Sequence, residues 1–199
     1  GYLAVAVEAP TKTDNGWVAL FDATSLEMLG YEQVGAQPDM VTFTPDGEYV
    51  LTANEGEPST DYQIDPVGSI SILGVSEGQL VEVRTAGFSA FNTQADALRS
   101  AGVRIYGPNA SVEQDLEPEY IAISSDSGTA WVSLQENNAL AKVDIATATV
   151  TDILPLGYKD HGTAGNGLDV SDSDDAINID TWPGVLGMYQ PDSIAAYEV

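Results

Sequence analysis

The sequence predicts an all-β fold: a β-propeller arc of four-stranded antiparallel blades with one short inserted helix. Three observations predict it. A segment recurs as Gln37–Phe43, Glu117–Ile123 and Gln190–Ala196, each reading Gln/Glu, Pro, Asp/Glu, any residue, then Ile/Val. The first two copies run into hairpin-turn residues, Pro45-Asp46-Gly47 and Ser125-Asp126-Ser127-Gly128, where Gly accepts positive φ. Further short apolar segments then follow in the same order, and repeated units of four short antiparallel strands make propeller blades.

Slot by slot, the recurring segment is the first strand of a unit. The second strand is Tyr49–Glu55 in one copy and Ala130–Glu136 in another, and Leu3–Glu8 fits the same slot; all three end in Glu. The third strand is Gly16–Asp22, Gly68–Gly74 and Asn138–Asp144, with partial alternation of large and small residues, as a sheet packed on both faces allows. The fourth is Glu27–Val34, Leu80–Thr85 and Thr149–Leu154. The expected layout of residues 1–199 is blade 1 at about 2–34, blade 2 at about 38–85, a helical insertion at 87–117, blade 3 at about 118–154, an acidic loop insertion at 157–189, and the first strand of blade 4 at about 190–199.

Phe88, Phe91, Ala95 and Leu98 stand at helical spacing, and Gly102 is placed to stop that helix. A β-sandwich with accidental similarity is the competing architecture, and three aligned slots argue against it. Rossmann and TIM folds fail because helices do not alternate with the strands. Blade 1 lacks its first strand and blade 4 has only its first. The chain is thus expected to be an arc whose remaining blades come from further chain or from another copy, and to be unstable or to associate alone.

Composition narrows the partners. There are 31 acidic and 6 basic residues, a formal net charge of −25, which disfavours nucleic acid and anionic membrane and attracts divalent cations. The same charge also serves solubility in a salt-tolerant protein. Cys is absent, so disulfides and thiolate chemistry are excluded. No apolar run approaches a membrane span, and the N-terminal Gly1–Val7 reads as a strand rather than a signal peptide.

Two acidic regions are candidate sites. In the first, Asp169, Asp172, Asp174 and Asp175, with Ser171 and Asn178, alternate oxygen side chains in a tight loop, a pattern suited to Ca2+. Ile177 and Ile179 are expected to anchor that loop, although the spacing is not an EF-hand. In the second, Glu8, Glu55 and Glu136 share the end of the second strand, with Glu57 close by. Facing the axis, they would form a carboxylate ring able to hold a cation. Solvated acidic surface is the alternative for both regions. Asp39, Glu119 and Asp192 also recur, each after Pro, and are expected to cap turns. His161 is the only His and is expected at the surface. One His and no Cys rule out a zinc site, and nucleophile-elbow, Walker and dinucleotide loops are all missing.

Several stretches together resemble the choice-of-anchor I family of exported bacterial propeller proteins: Pro38–Gly47, Ala53–Pro58, Gly102–Pro108, Leu134–Ala139 and Leu156–Asp160. The resemblance covers essentially the whole chain. It implies a propeller and a secreted or cell-surface location. The family domain is longer, with a further Asn-Glu-Gly-Asp-type segment expected after Val199. Some relatives carry the labels alkaline phosphatase or mesenchyme-specific cell-surface glycoprotein. Two functions therefore stand: a calcium-binding extracellular scaffold that takes a protein or small-molecule ligand, or a calcium-dependent phosphomonoesterase of alkaline phosphatase or phytase-like type. The scarcity of basic residues favours the first.

Overall fold

A computed structural model describes residues 1–198. Three antiparallel sheets follow one another along the chain. The first contains β1 (Tyr2–Val7), β2 (Asn15–Asp22) and β3 (Met28–Ala36), in that order. The second contains β4 (Pro38–Phe43), β5 (Tyr49–Asn54), β6 (Ser69–Ser76) and β7 (Gln79–Gly87). The third contains β8 (Ile121–Ile123), β9 (Thr129–Leu134), β10 (Ala139–Asp144) and β11 (Thr149–Pro155), again paired in sequence order.

The repeated turns obey one design with an exchange of residues. Gly47 takes φ +76 and donates its N–H to the Thr44 carbonyl at 2.9 Å. In the third sheet that left-handed position belongs to Ser127, at φ +59, and not to Gly128. Asp46 and Asp126 hold the two turns alike, accepting from the hydroxyls of Thr44 and Ser124. Ser127 Oγ also accepts from the Asp46 N–H at 3.2 Å, tying one blade's turn to the next.

Both faces of the middle sheet are buried. Val50 and Leu73 pack with Val18 and Val34 of the first sheet. Leu51, Ile70 and Ile72 face the other way, into a core with Val132, Leu134 and Ala141 of the third. Each such aliphatic side chain contributes roughly 1.5–3 kcal/mol by leaving water. The insertion after β7 joins this second core through Phe88, Leu98, Val103 and Leu116. Its first helical stretch opens as 3-10 helix over Ser89–Gln94 and continues as α-helix over Ala95–Ala101 (α1); Gly102, at φ +103, ends it. A further turn of helix, Val112–Asp115 (α2), opens on a Ser111–Gln114 capping box.

The stretch from 157 to 189 leaves the third sheet as a small ribbon, β12 (Lys159–Asp160) with β13 (Leu186–Gly187), and a bridge between Leu168 and Asp180. The buried Asn138 holds both of its feet: Nδ2 donates to the Gly157 carbonyl at 2.8 Å, and Oδ1 accepts from the Tyr189 N–H at 2.9 Å. Residues 190–198 run without ladder pairing, unlike the strand expected there. Among the described residues they have no second strand of their own unit to pair with, so backbone bonding cannot impose a ladder. Ile194–Tyr197 instead border a shallow cavity with Ala122, Trp131 and Leu140.

Candidate functional site

Strands one and two of a blade are antiparallel, so the residues entering the first and leaving the second lie at the same end. This topology gathers Gln37 and Asp39 with Glu55 and Glu57 in blade 2, and Glu117 and Glu119 with Glu136 in blade 3. Beside them opens a cavity of about 330 Å³ whose walls include Glu57, Asp65, Glu117, Glu136, Tyr62 and Tyr106.

The repeat explains how the two blades differ. Gln37 and Glu117 occupy the same slot. Gln37 Nε2 donates to Glu55 at 2.5 Å and to Glu57 at 2.9 Å. Glu117 has no amide to offer. Its backbone N–H is held by Asn137 Oδ1 at 3.1 Å, and it is only 9% exposed. Its carboxylate has no hydrogen-bond or ion-pair partner among the described residues, and it lines the cavity. Asp65 Oδ1 and Glu119 Oε2 are buried without partners.

These groups raise one another's proton affinity. Burial, then the neighbouring Glu57, Asp39 and Glu119, push Glu55 up to about 8. Burial, then Glu136, Glu57 and Asp115, push Glu117 up to about 8. Glu119 is raised by burial and then by Asp192 and Asp39, and Asp65 by burial. Glu57 is held low by the hydrogen bond from Lys12, whose ammonium stands 2.5 Å away. Glu136 accepts from the Tyr106 hydroxyl at 2.8 Å, and Arg104 stacks over that ring at 3.5 Å. Asp115, though buried, is satisfied: it accepts from the N–H groups of Tyr106 and Gly107.

Of the axial acids read from the sequence, Glu55, Glu57 and Glu136 come together here. Glu8 is exposed at the end of β1 and makes no side-chain hydrogen bond or ion pair among the described residues. Asp39, Glu119 and Asp192 do not cap turns, since their side chains accept no backbone N–H. Asp39 and Asp192 instead stand near enough to Glu119 to raise its proton affinity. Glu117, Asp65 and the role of Gln37 were missed. The signal for Glu117 was its place in the Gln/Glu-Pro-Asp/Glu slot, which repetition presented as purely structural.

The other acidic region has a different form. Asp169, Asp172 and Asp175 border an open depression of about 640 Å³, whereas Asp174 and Asn178 are not on its lining. Asp169 is occupied by the N–H groups of Ser171, at 3.2 Å, and Asn178, at 2.9 Å. Ile177 and Ile179 do not anchor the loop: they are 90% and 69% exposed, because the ribbon holds the loop tip off the blades. Among the described residues no three His, Cys, Asp or Glu side chains are grouped to hold a metal ion, in the loop or in the cavity. His161 is more than a surface residue: its Nδ1–H donates to the Asn166 carbonyl at 2.7 Å, inside the ribbon.

The family model described as Choice-of-anchor I domain matches residues 1–199. A comparison with curated proteins found no match. Among solved structures, hydrazine synthase of Kuenenia stuttgartiensis is similar with a TM-score of 0.53 at 12% identity, over 78% of this chain and 47% of its own. The periplasmic gluconolactonase PpgL of Pseudomonas aeruginosa gives 0.45 at 15%, over 82% and 40%. The Cps50 (Swd1) β-propeller domain of Myceliophteria thermophila gives 0.46 at 10%, over 77% and 44%. The chain thus spans less than half the length of these structures, and at such identities the likeness is one of fold alone.

Proposed function

The chain belongs to the choice-of-anchor I domain family, and on that premise we propose that it is a binding module of an exported, cell-surface β-propeller protein that takes positively charged ligands in the cavity at its blade ends. The observation that supports this most is Glu117, a residue only 9% exposed whose carboxylate has no partner among the described residues and borders open space. Partial burial and neighbouring acids hold the Glu117 proton up to about pH 8, and a cation entering the cavity favours the ionised carboxylate. Propeller folds commonly carry such sites on loops at one end of the blades.

A phosphomonoesterase fits this geometry poorly. The nearest cations are already committed, Lys12 to Glu57 and Arg104 to Tyr106 and the Glu136 main chain. A phosphate dianion entering here meets carboxylates instead. Calorimetric titration of the protein with Ca2+ and with simple amines at pH 9, where Glu117 is ionised, tests the proposal. We expect saturable binding of a cation that Glu117→Gln weakens. Binding of no cation, or hydrolysis of p-nitrophenyl phosphate lost in Glu117→Gln, overturns it.

A further inference from the structure

The cavity discriminates among cations, an inference that rests on the cation-binding reading above. The chain itself supplies a guide to what these walls accept. Lys12, from the loop after β1, reaches across to Glu57, so a primary ammonium on an alkyl stem already sits at the rim. It leaves Glu117 without a donor, and it leaves the buried Asp65 Oδ1 unpaired. Both groups can accept N–H donors, and what counts against a metal ion is how the acids are spaced. Ca2+ wants six to eight converging oxygens, and these carboxylates are not grouped that way. The space, about 330 Å³, has the size of a small-ligand pocket rather than an ion cage. Tyr62 and Tyr106 on its walls give an alkyl stem apolar surface to lie on.

We propose that the cavity binds a primary alkylammonium group, with the carboxylates of Glu117 and Asp65 on its walls as the acceptors for its N–H donors and the Lys12–Glu57 pair as its rim. The ammonium is that of a lysine side chain on a partner protein or of a free aliphatic diamine. Lys12 then acts as a tethered competitor, drawing Glu57 away from the incoming group.

Calorimetry on the protein at pH 9, where Glu117 is ionised and alkylammonium groups keep their charge, tests this with four probes: cadaverine, Nα-acetyl-lysine methylamide, tetramethylammonium chloride and calcium chloride. Cadaverine and the lysine derivative are expected to bind. Tetramethylammonium carries the same charge without N–H donors and is expected to bind at least about tenfold more weakly. Tighter binding of the lysine derivative identifies a protein lysine as the source, and tighter binding of cadaverine a free diamine; either supports the proposal. Glu117→Gln preserves shape and is expected to weaken the ammonium probes by about tenfold or more. Lys12→Ala is expected to strengthen them several-fold, a gain that mere damage to the fold would not produce. Equal binding of tetramethylammonium, an unchanged affinity in Glu117→Gln, or weaker binding in Lys12→Ala overturns the proposal. Glu117-dependent calcium binding without ammonium binding overturns it too but leaves the cation-binding function standing. Failure of every cation overturns both.

Discussion

The blade-end cavity and the loop from Asp169 to Asp180 are equally acidic to the eye, and physically they are opposites. In the cavity, strand ends fix the carboxylates, the blades partly bury them, and Glu55 and Glu117 are pushed up to about 8. In the loop the carboxylates stand in solvent and turn outward or onto neighbouring backbone N–H groups. Acid count is common to both. What separates them is desolvation and the absence of donors, the two terms that turn like charges into a site.

Asp115 offers the harshest test of that contrast, because it is a cavity acid that is already satisfied. Asp115→Ala leaves the N–H groups of Tyr106 and Gly107 without their acceptor and is expected to destabilise the protein by about 3 kcal/mol. Chemical denaturation measures it. A loss near zero would mean that these acids are no better held than those of the loop.

Next in size is the response to pH. Glu55 and Glu117 have folded values near 8 against an ordinary 4.5, so the folded state keeps protons that the unfolded chain releases. Their stabilising contribution is complete below about 4.5 and is lost as pH rises through 8. The melting temperature is therefore expected to fall by several degrees between pH 5 and pH 8.5. The acids with lowered values, Glu57, Asp46 and Asp126, lose their contribution only at the acidic end, below the ordinary carboxylate range. Glu117→Gln isolates the cavity from the general charge of the chain. It installs the amide that Gln37 provides in the neighbouring blade, and it is expected to raise stability at pH 8.5 by about 1 kcal/mol and to flatten the pH profile. An unchanged profile would remove Glu117 from the account.

The smallest effect belongs to the loop. Asp172→Ala with Asp174→Ala is expected to change stability by no more than about 0.5 kcal/mol and to leave cavity binding intact. The proposal that Asp169, Asp172, Asp174, Asp175 and Asn178 bind Ca2+ requires these groups to converge. Any such binding is expected only at millimolar calcium, where this double variant would abolish it. Micromolar binding there would reverse the ranking of the two regions.

The repeat made the blades legible. A Pro followed by an acid marked each entry into a first strand, and alternating apolar residues marked the strands that follow. Legibility stopped where a partner outside the segment decides the outcome. Phe88 and Phe91 have helical spacing, yet the chain there tightens to 3-10 while Phe88 seats itself in the core. Residues 190–198 carry the strand pattern without a ladder partner. At the site, Glu55, Glu57 and Glu136 could be read because they end the same strand slot. Glu117 could not, because its importance lies in lacking what Gln37 has, which shows only when the two blades are laid side by side in space. The loop misled in the opposite way, since density of Asp along a sequence says nothing about whether the side chains converge.

Asn138 gives the molecule a kind of modularity. One buried amide fastens the departing and the returning ends of the 157–189 excursion, and near the first of them Tyr158 adds a hydrogen bond to the Gly102 carbonyl. Doubling such an excursion adds only about 0.6 kcal/mol of closure entropy. The excursion behaves as an exchangeable cassette on a fixed socket: evolution, or an engineer, can rewrite what the protein displays there without renegotiating the blades beneath it.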